Sequence, residues 1–501
     1  MITATLLLYQ PMIFSSLVRQ KERWLSLLVL AAGLLLAVLL AWALLNRPAL
    51  ANQLIALMAI ALTLGMIARN PLHAFLLWIF FIPLAPFWRF DLHMPAGIPD
   101  LSYTRVVGSF LAIYLVAQIA RGQRQLLHLT LFDLTLPFFI FPLLWSAMRA
   151  YSGWLWGLQT VFDAFLMPIF VYFIARQLVQ EPDDFRMLGK VLIGITAVIA
   201  VASIVEQSTG FAPFRASNTA LIYSGDIRKV GSFLGNPAYV ALALAVVAPL
   251  AMMLAIEQQT VRGKMHYVLA LLLLEGGIVA TFNRSGLGGG LIGPLVFSFL
   301  NRRLLKVVLP TLLIIGLLLG LGWGMMQDSS AAQRLSSESP IDYRMRALKY
   351  GLEIHKTSPY IGVGWAWFGR LAAERGFREN GIHVLSSTHN SYLNFLVSGG
   401  YLLLGGYLLL AAGLGMTLLT LGWARRRSRR FFPLFIQAAF ASYFAYFIPI
   451  VAFDNAFSIY ANLIFFAIMG GAISTTLAGG SFTDAGRPLP RAQTSLPDAA
   501  P

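Results

Sequence analysis

Long apolar runs, separated by short segments carrying charge, Gly or Pro, set the pattern of this 501-residue chain. Most are roughly 20 residues long, and an apolar helix of that length rises about 30 Å, the thickness of a bilayer's hydrocarbon core. The runs predict membrane-spanning helices near residues 25–45, 51–68, 72–88, 104–120, 130–148, 154–175, 191–206, 238–256, 266–282, 287–300, 307–325, 391–422, 431–451 and 457–478. The fold class expected is all-α: a polytopic transmembrane bundle of about 12 to 14 spans, depending on whether the short early pair or the Gly-rich pair crosses. The spans fill 25–325 and 391–478, and the longest hydrophilic stretch, 326–390, lies between them. Inside that stretch Ser339 and Pro340 read as a helix cap and first helical position, and Ile341, Met345, Leu348 and Leu352 recur at helical spacing. An amphipathic helix of about four turns on the membrane surface follows, ending before TSPYIGVGW.

Composition agrees with this pattern, since 58% of residues are hydrophobic and 12% charged, where soluble domains carry about a quarter charged residues. The net charge of +16 could suggest nucleic acid, but the basic residues sit between apolar runs and form no stripe with interleaved aromatics. They report topology. Short segments rich in Lys and Arg resist translocation, which puts Arg19/Lys21/Arg23, Arg121/Arg124, Arg176/Arg186/Lys190, Arg302/Arg303/Lys306 and the cluster from Arg425 to Arg430 inside. Both termini, residues 1–24 and 479–501, are then cytoplasmic, and 326–390 lies outside. The first apolar run follows three basic residues without a small-residue cleavage site and reads as an anchor. The Gly-, Ser-, Thr- and Pro-rich tail reads as disordered. With no cysteines, thiolate metal sites and disulfides are excluded.

Three outward positions carry the polar groups that most need a reason. Arg228 and Lys229 precede GSFLGNPAYV, where Asn236 and Pro237 look like a cap and first turn; Arg284 sits in the tight turn of TFNRSGLGGG; His389 and Asn390 sit where the long loop enters a span. Each precedes a helix whose N-terminus faces outward, and unpaired N–H groups there favour anions. If the three converge they suit a pyrophosphate at the membrane surface. Against this stands the ordinary tendency of an arginine at a helix end to snorkel to lipid headgroups, the reading given to Arg47, Arg89 and Arg149. Asp163 and Glu275, within apolar spans, are expected to hydrogen-bond between helices, while Glu206 and Asp454 sit at outward ends where they could pair with the arginines. The glycines of 286–290 read as close helix packing rather than a phosphate cradle. With no HExxH, no GxxxxGK[ST] and no carboxylate cluster, neither a metal nor a nucleotide cofactor has support.

RKVGSFLGNPAYVA from Arg228, FNRSG around Arg284, YRMRALKYGLEIHKTSPYIGVGW from Tyr343 and THNSYLNFLVSGG from Thr388 resemble, in this order, the O-antigen ligase and polymerase superfamily of Wzy_C-type bacterial membrane glycosyltransferases. The resemblance covers about residues 200–420. It implies a multi-pass protein of the bacterial inner membrane, with the 326–390 loop and the active site periplasmic. The partners implied are an undecaprenyl-pyrophosphate-linked glycan as donor and lipid A core or another lipid-linked glycan as acceptor, with no nucleic acid. His389 would be the general base, and Arg284, with Arg228, Lys229 and Asn390, would hold the pyrophosphate. Gly400 matches the ligases while the following glycine is displaced to Gly405, which leaves ligase and polymerase both open. Protein O-glycosylation, or a transporter or flippase of lipid-linked sugars, are the alternatives.

Overall fold

The computed structural model describes residues 48–84, 102–212, 223–224, 227–228, 230–302, 304–306, 339–377, 388–426 and 433–485. Helix α1 (Pro48–Arg69) meets α2 (Pro71–Phe81) at Asn70, whose side chain caps α2. Next come α3 (Tyr103–Ala120), α4 (Leu131–Met148), and one continuous span made of α5 (Trp154–Val161), a π turn (Phe162–Leu166) and α6 (Met167–Leu178). After α7 (Pro182–Thr209), β1 (Tyr223–Ser224) pairs antiparallel with β2 (Ile227–Arg228), before α8 (Pro237–Glu257), α9 (Val261–Ala280) and α10 (Arg284–Leu300). The long loop contributes α11 (Ser339–His355) and α12 (Phe368–Glu374), and α13 (Ser391–Arg426), α14 (Leu434–Phe447) and α15 (Ile459–Ala485) complete the bundle.

Every expected span that falls on described residues is a helix, and nine helices among those residues are long and apolar enough to cross a membrane. The expected spans near 25–45 and 307–325 lie outside the described residues, as does the tail from 486. Helix α15 continues through Ala485, so the first part of the tail expected to be disordered extends a helix instead.

Small residues set the centre of the bundle. Helix α8 is buried almost throughout, and α10 lies parallel to it: a Cβ on Gly286 would run into Ala241, one on Gly289 would come 3.2 Å from Ala245, and one on Gly293 would come 3.2 Å from Pro249. Helix α14 runs antiparallel along the same face, with Pro449 beside Gly289 and Ala445 beside Gly293. Close backbone approach through glycine is how helices associate in lipid, where apolar side chains gain nothing by leaving the solvent.

Three ion pairs join helices among the described residues, one of them from Arg186 of α7 to Glu257 of α8 (2.9 Å). Asp163, in the π turn, accepts from Arg105 of α3 at 2.8 Å, the interhelical bond expected of it. Arg176 donates to Asp133 of α4 at 2.7 Å and to the carbonyl of His128, and is 1% exposed. It is a clamp between α4 and α6, not a loop charge that reports topology. Glu275 departs from expectation: its buried Oε1 has no hydrogen-bond partner among the described residues, and its carboxyl packs against Gly290.

The apolar run read as a single span at 391–422 is broken. Gly400, at φ +65° and ψ −160°, divides α13 into a nine-residue segment, 391–399, and a membrane-length segment, 401–426. Residues 395 and 407 would lie about 18 Å apart along an unbroken helix, yet the rings of Phe395 and Tyr407 are 4.4 Å apart. The first segment therefore doubles back beside the second. Stepping down it, Ser398 meets Ser146 at the end of α4, and Phe395 meets Phe139 further in. Its N-terminus, which carries His389, points into the bundle.

Candidate functional site

The break in α13 leaves backbone groups without helical partners, and the loop between α11 and α12 supplies them. The N–H groups of Tyr401 and Leu402 donate to the carbonyls of Pro359 and Tyr360 (2.8 and 3.1 Å), while those of Val363 and Gly364 donate to Val397 and Ser398 (2.9 Å each). Glycine is required here: a Cβ on Gly362 would run into Ser398, and one on Gly400 into the backbone of Tyr360. The same loop grips α4. Trp365 N–H donates to Ser146 O (3.0 Å), Tyr151 N–H to Trp365 O (3.0 Å), and the Trp367 indole to Arg149 O (2.8 Å). Arg149, read as a snorkelling residue, donates to the Ile361 carbonyl and lies over the Trp145 ring; Arg47 and Arg89 lie outside the described residues.

Helices α8, α10 and α13 are each capped by an asparagine. Asn236 accepts from Ala238 N–H (2.9 Å), Asn283 from Gly286 N–H (2.8 Å), and Asn390 from Leu393 N–H (3.0 Å). The residue just before each cap is in the left-handed region, Gly235 at φ +72°, Phe282 at +46° and His389 at +50°, and the last two are not glycine. Such conformations cost of order 1–3 kcal/mol and persist where the surroundings fix them. At His389 the buried Thr388 does so, its hydroxyl donating to Asn390 O (2.7 Å) and accepting from Asn390 N–H (3.3 Å).

Helix α11 connects two of the expected site residues. Its Tyr343 ring stands edge-on to the His389 imidazole, centroids 5.7 Å apart. The next residue, Arg344, is half-buried, and its pKa is lowered by that burial and then by the positive charge of Arg284. His389 thus packs on Tyr343, and Arg284 lies within electrostatic range of the next residue, Arg344. Two guanidinium groups close enough to repel, near an imidazole and the N-termini of α10 and α13, form a place prepared for an anion. It is recessed: Arg284 and His389 are each only partly exposed, and the 391–399 segment begins inside the bundle.

The other expected ligands are less fully placed. The backbone of Arg228 forms β2, its side chain lies outside the described atoms, and Lys229 lies outside the described residues. Asn390 uses its side-chain oxygen as a cap. Glu206 accepts from Ser232 N–H (2.8 Å), and Asp454 from the Asn394 amide (2.6 Å) and Ala456 N–H (3.0 Å).

Tyr343, Arg344 and Thr388 stand inside motifs quoted from the sequence, yet the sequence assigned them no role. Helix α11 forms where expected, but its buried face differs: Met345 and Leu352 are 60% and 42% exposed, while Tyr343, Ala347, Gly351 and Ile354 are buried. Gly351 lets the helix close onto Leu393 of α13, where a Cβ would come within 2.9 Å. The 343, 347, 351, 354 spacing carries that face, but small residues score weakly as apolar.

Residues 268–410 match a family model described as O-antigen ligase (Wzy_C). The match supports the resemblance read from the sequence and covers Arg284, α11, His389 and Gly400, while Arg228 falls before it. No curated protein matches the chain.

Proposed function

We propose that this chain is a bacterial inner-membrane glycosyltransferase of the O-antigen ligase or polymerase type, moving a glycan from undecaprenyl pyrophosphate to an acceptor hydroxyl on the periplasmic side. The observation that carries the reading is that the first turn of α11 holds His389 against Tyr343 and sets the next residue, Arg344, within electrostatic range of Arg284. The imidazole takes the proton of the acceptor hydroxyl as its oxygen bonds to the anomeric carbon. The bond from that carbon to the phosphate oxygen breaks, and the electron pair leaves on the lipid pyrophosphate. Arg284 and Arg344, helped by Arg228 and Lys229, hold the phosphates and stabilise the charge that develops there. A recessed site suits a lipid-linked donor whose phosphates sit at headgroup depth. The acceptor is lipid A core for a ligase and another lipid-linked repeat unit for a polymerase.

The test is reconstitution in vesicles with a lipid-linked glycan and its acceptor. Wild-type protein should consume donor only when acceptor is present. His389→Ala should stop transfer while donor still binds, and Arg284→Lys should lose most activity, because a point charge cannot reproduce a planar fork on phosphate oxygens. Donor that crosses the bilayer without forming product would replace this reading with transport, and full activity in His389→Ala would remove the base.

A further inference from the structure

Behind the segment that carries His389 lies a buried polar network. Its hub is Asn455, which is 0% exposed. The Asn455 N–H donates to Ser391 Oγ (2.9 Å), and that hydroxyl donates to Phe453 O (3.0 Å). The side-chain amide of Asn455 donates to the hydroxyls of Tyr446 (2.8 Å) and Tyr407 (3.2 Å). Tyr446 in turn donates to Asn462 Oδ1 (2.7 Å), and the Asn462 amide donates to Asn455 O (3.0 Å) and to Ala164 O in the π turn (2.8 Å). Asn455 therefore ties both segments of α13, α14 and α15 together, and Asn462 extends the network to the π turn.

Burying so many polar groups gains little stability over apolar packing; what such a network supplies is a single register. Ser391 is two residues from His389, whose left-handed backbone needs its surroundings fixed on all sides. We propose that Asn455 is a positioning residue for the reaction: through Ser391 it fixes the depth and rotation of the 391–399 segment, and so the place of the imidazole. This inference rests on the glycosyl-transfer reading for its kinetic consequence, but its structural content does not depend on it.

Two measurements on the full chain in vesicles test it. The first is transfer kinetics of Asn455→Ala and of Tyr446→Phe, which keeps the ring and removes one hydroxyl. The second is the rate at which diethyl pyrocarbonate modifies His389, read peptide by peptide by mass spectrometry, which needs no turnover. Misplacing a reacting group by about 1 Å can cost on the order of 100-fold. Asn455→Ala should accordingly lower kcat by about ten- to a hundredfold with KM for the donor nearly unchanged, Tyr446→Phe less so, and both should change the modification rate of His389 while leaving His266 as in wild type. Should Asn455→Ala fail to fold, Tyr446→Phe decides alone. Unchanged kcat and unchanged His389 modification in a folded variant overturn the proposal. A wild-type protein that transfers nothing, but whose His389 modification still responds, overturns the glycosyl-transfer reading and leaves the positioning role standing.

Discussion

Gly400 separates two stretches of one apolar run that are held in place by different means. Residues 391–399 are fixed largely by side-chain and loop hydrogen bonds: Ser391 to the 453–455 turn, Asn394 to Asp454, Tyr392 to Phe447 O, Ser398 to Asn394. Residues 401–426 are fixed mainly by shape, with Gly406 pressed on Phe138 and Gly413 on Thr135 of the antiparallel α4; the bonds that reach them from other elements are scattered, from Phe132 N–H to Thr417 Oγ1 (3.1 Å), from the Tyr443 hydroxyl to Ala411 O (3.0 Å) and from the Asn455 amide to the Tyr407 hydroxyl (3.2 Å). Packing suffices for a helix that only crosses a bilayer. A reacting group needs direction as well, and directional bonds supply it.

Substitutions on the two sides should therefore fail in different ways. The largest effect is expected at the boundary. Gly400→Val places a β-branched side chain at φ +65° and against Tyr360, costing about 4 kcal/mol or more. Little folded protein should survive size-exclusion chromatography, and a normally folded, active variant would show that the break is not obligatory. Gly406→Leu should push α4 from the crossing segment and cost about 1–3 kcal/mol in thermal unfolding, while the molecules that remain folded turn over normally. Thr388→Val removes the hydroxyl that braces His389, so transfer should fall about tenfold, the smaller end of what misplacement costs, with the melting temperature nearly unchanged. If the melting temperature fell and turnover held, the two sides would not be distinct. Smallest is Thr417→Val, which removes the acceptor for Phe132 N–H and should cost about 1 kcal/mol without touching transfer.

The apolar runs made the described spans legible, since length against bilayer thickness is a strong constraint. The cap at Asn236 was legible too, because it precedes Pro; the caps at Asn283 and Asn390 were not read from the sequence, where Asn390 stood as a pyrophosphate ligand. The break at Gly400 was not. Hydropathy runs through it unchanged, and the groups that satisfy its freed backbone come from Pro359 to Gly364, some forty residues earlier. Arg284 and His389 stood out in the sequence as polar groups in need of a reason, but their nearness rests on α11, whose contacting face is built from Tyr343, Ala347 and Gly351. Arg176 looked like a loop cation because a sequence shows charge without burial, and its partner Asp133 lies on another helix.

The glycine seam between α8 and α10 works like a toothed rack. Sliding α10 by a single residue would bring Leu287 toward the position of Gly286 and Ser285 out of line, and the next tooth offers no more room than the last. Arg284, fixed at the tip of that rack, can swing only its side chain, so under the proposed function any widening of the recess for a lipid-linked donor falls to the wall formed by α11.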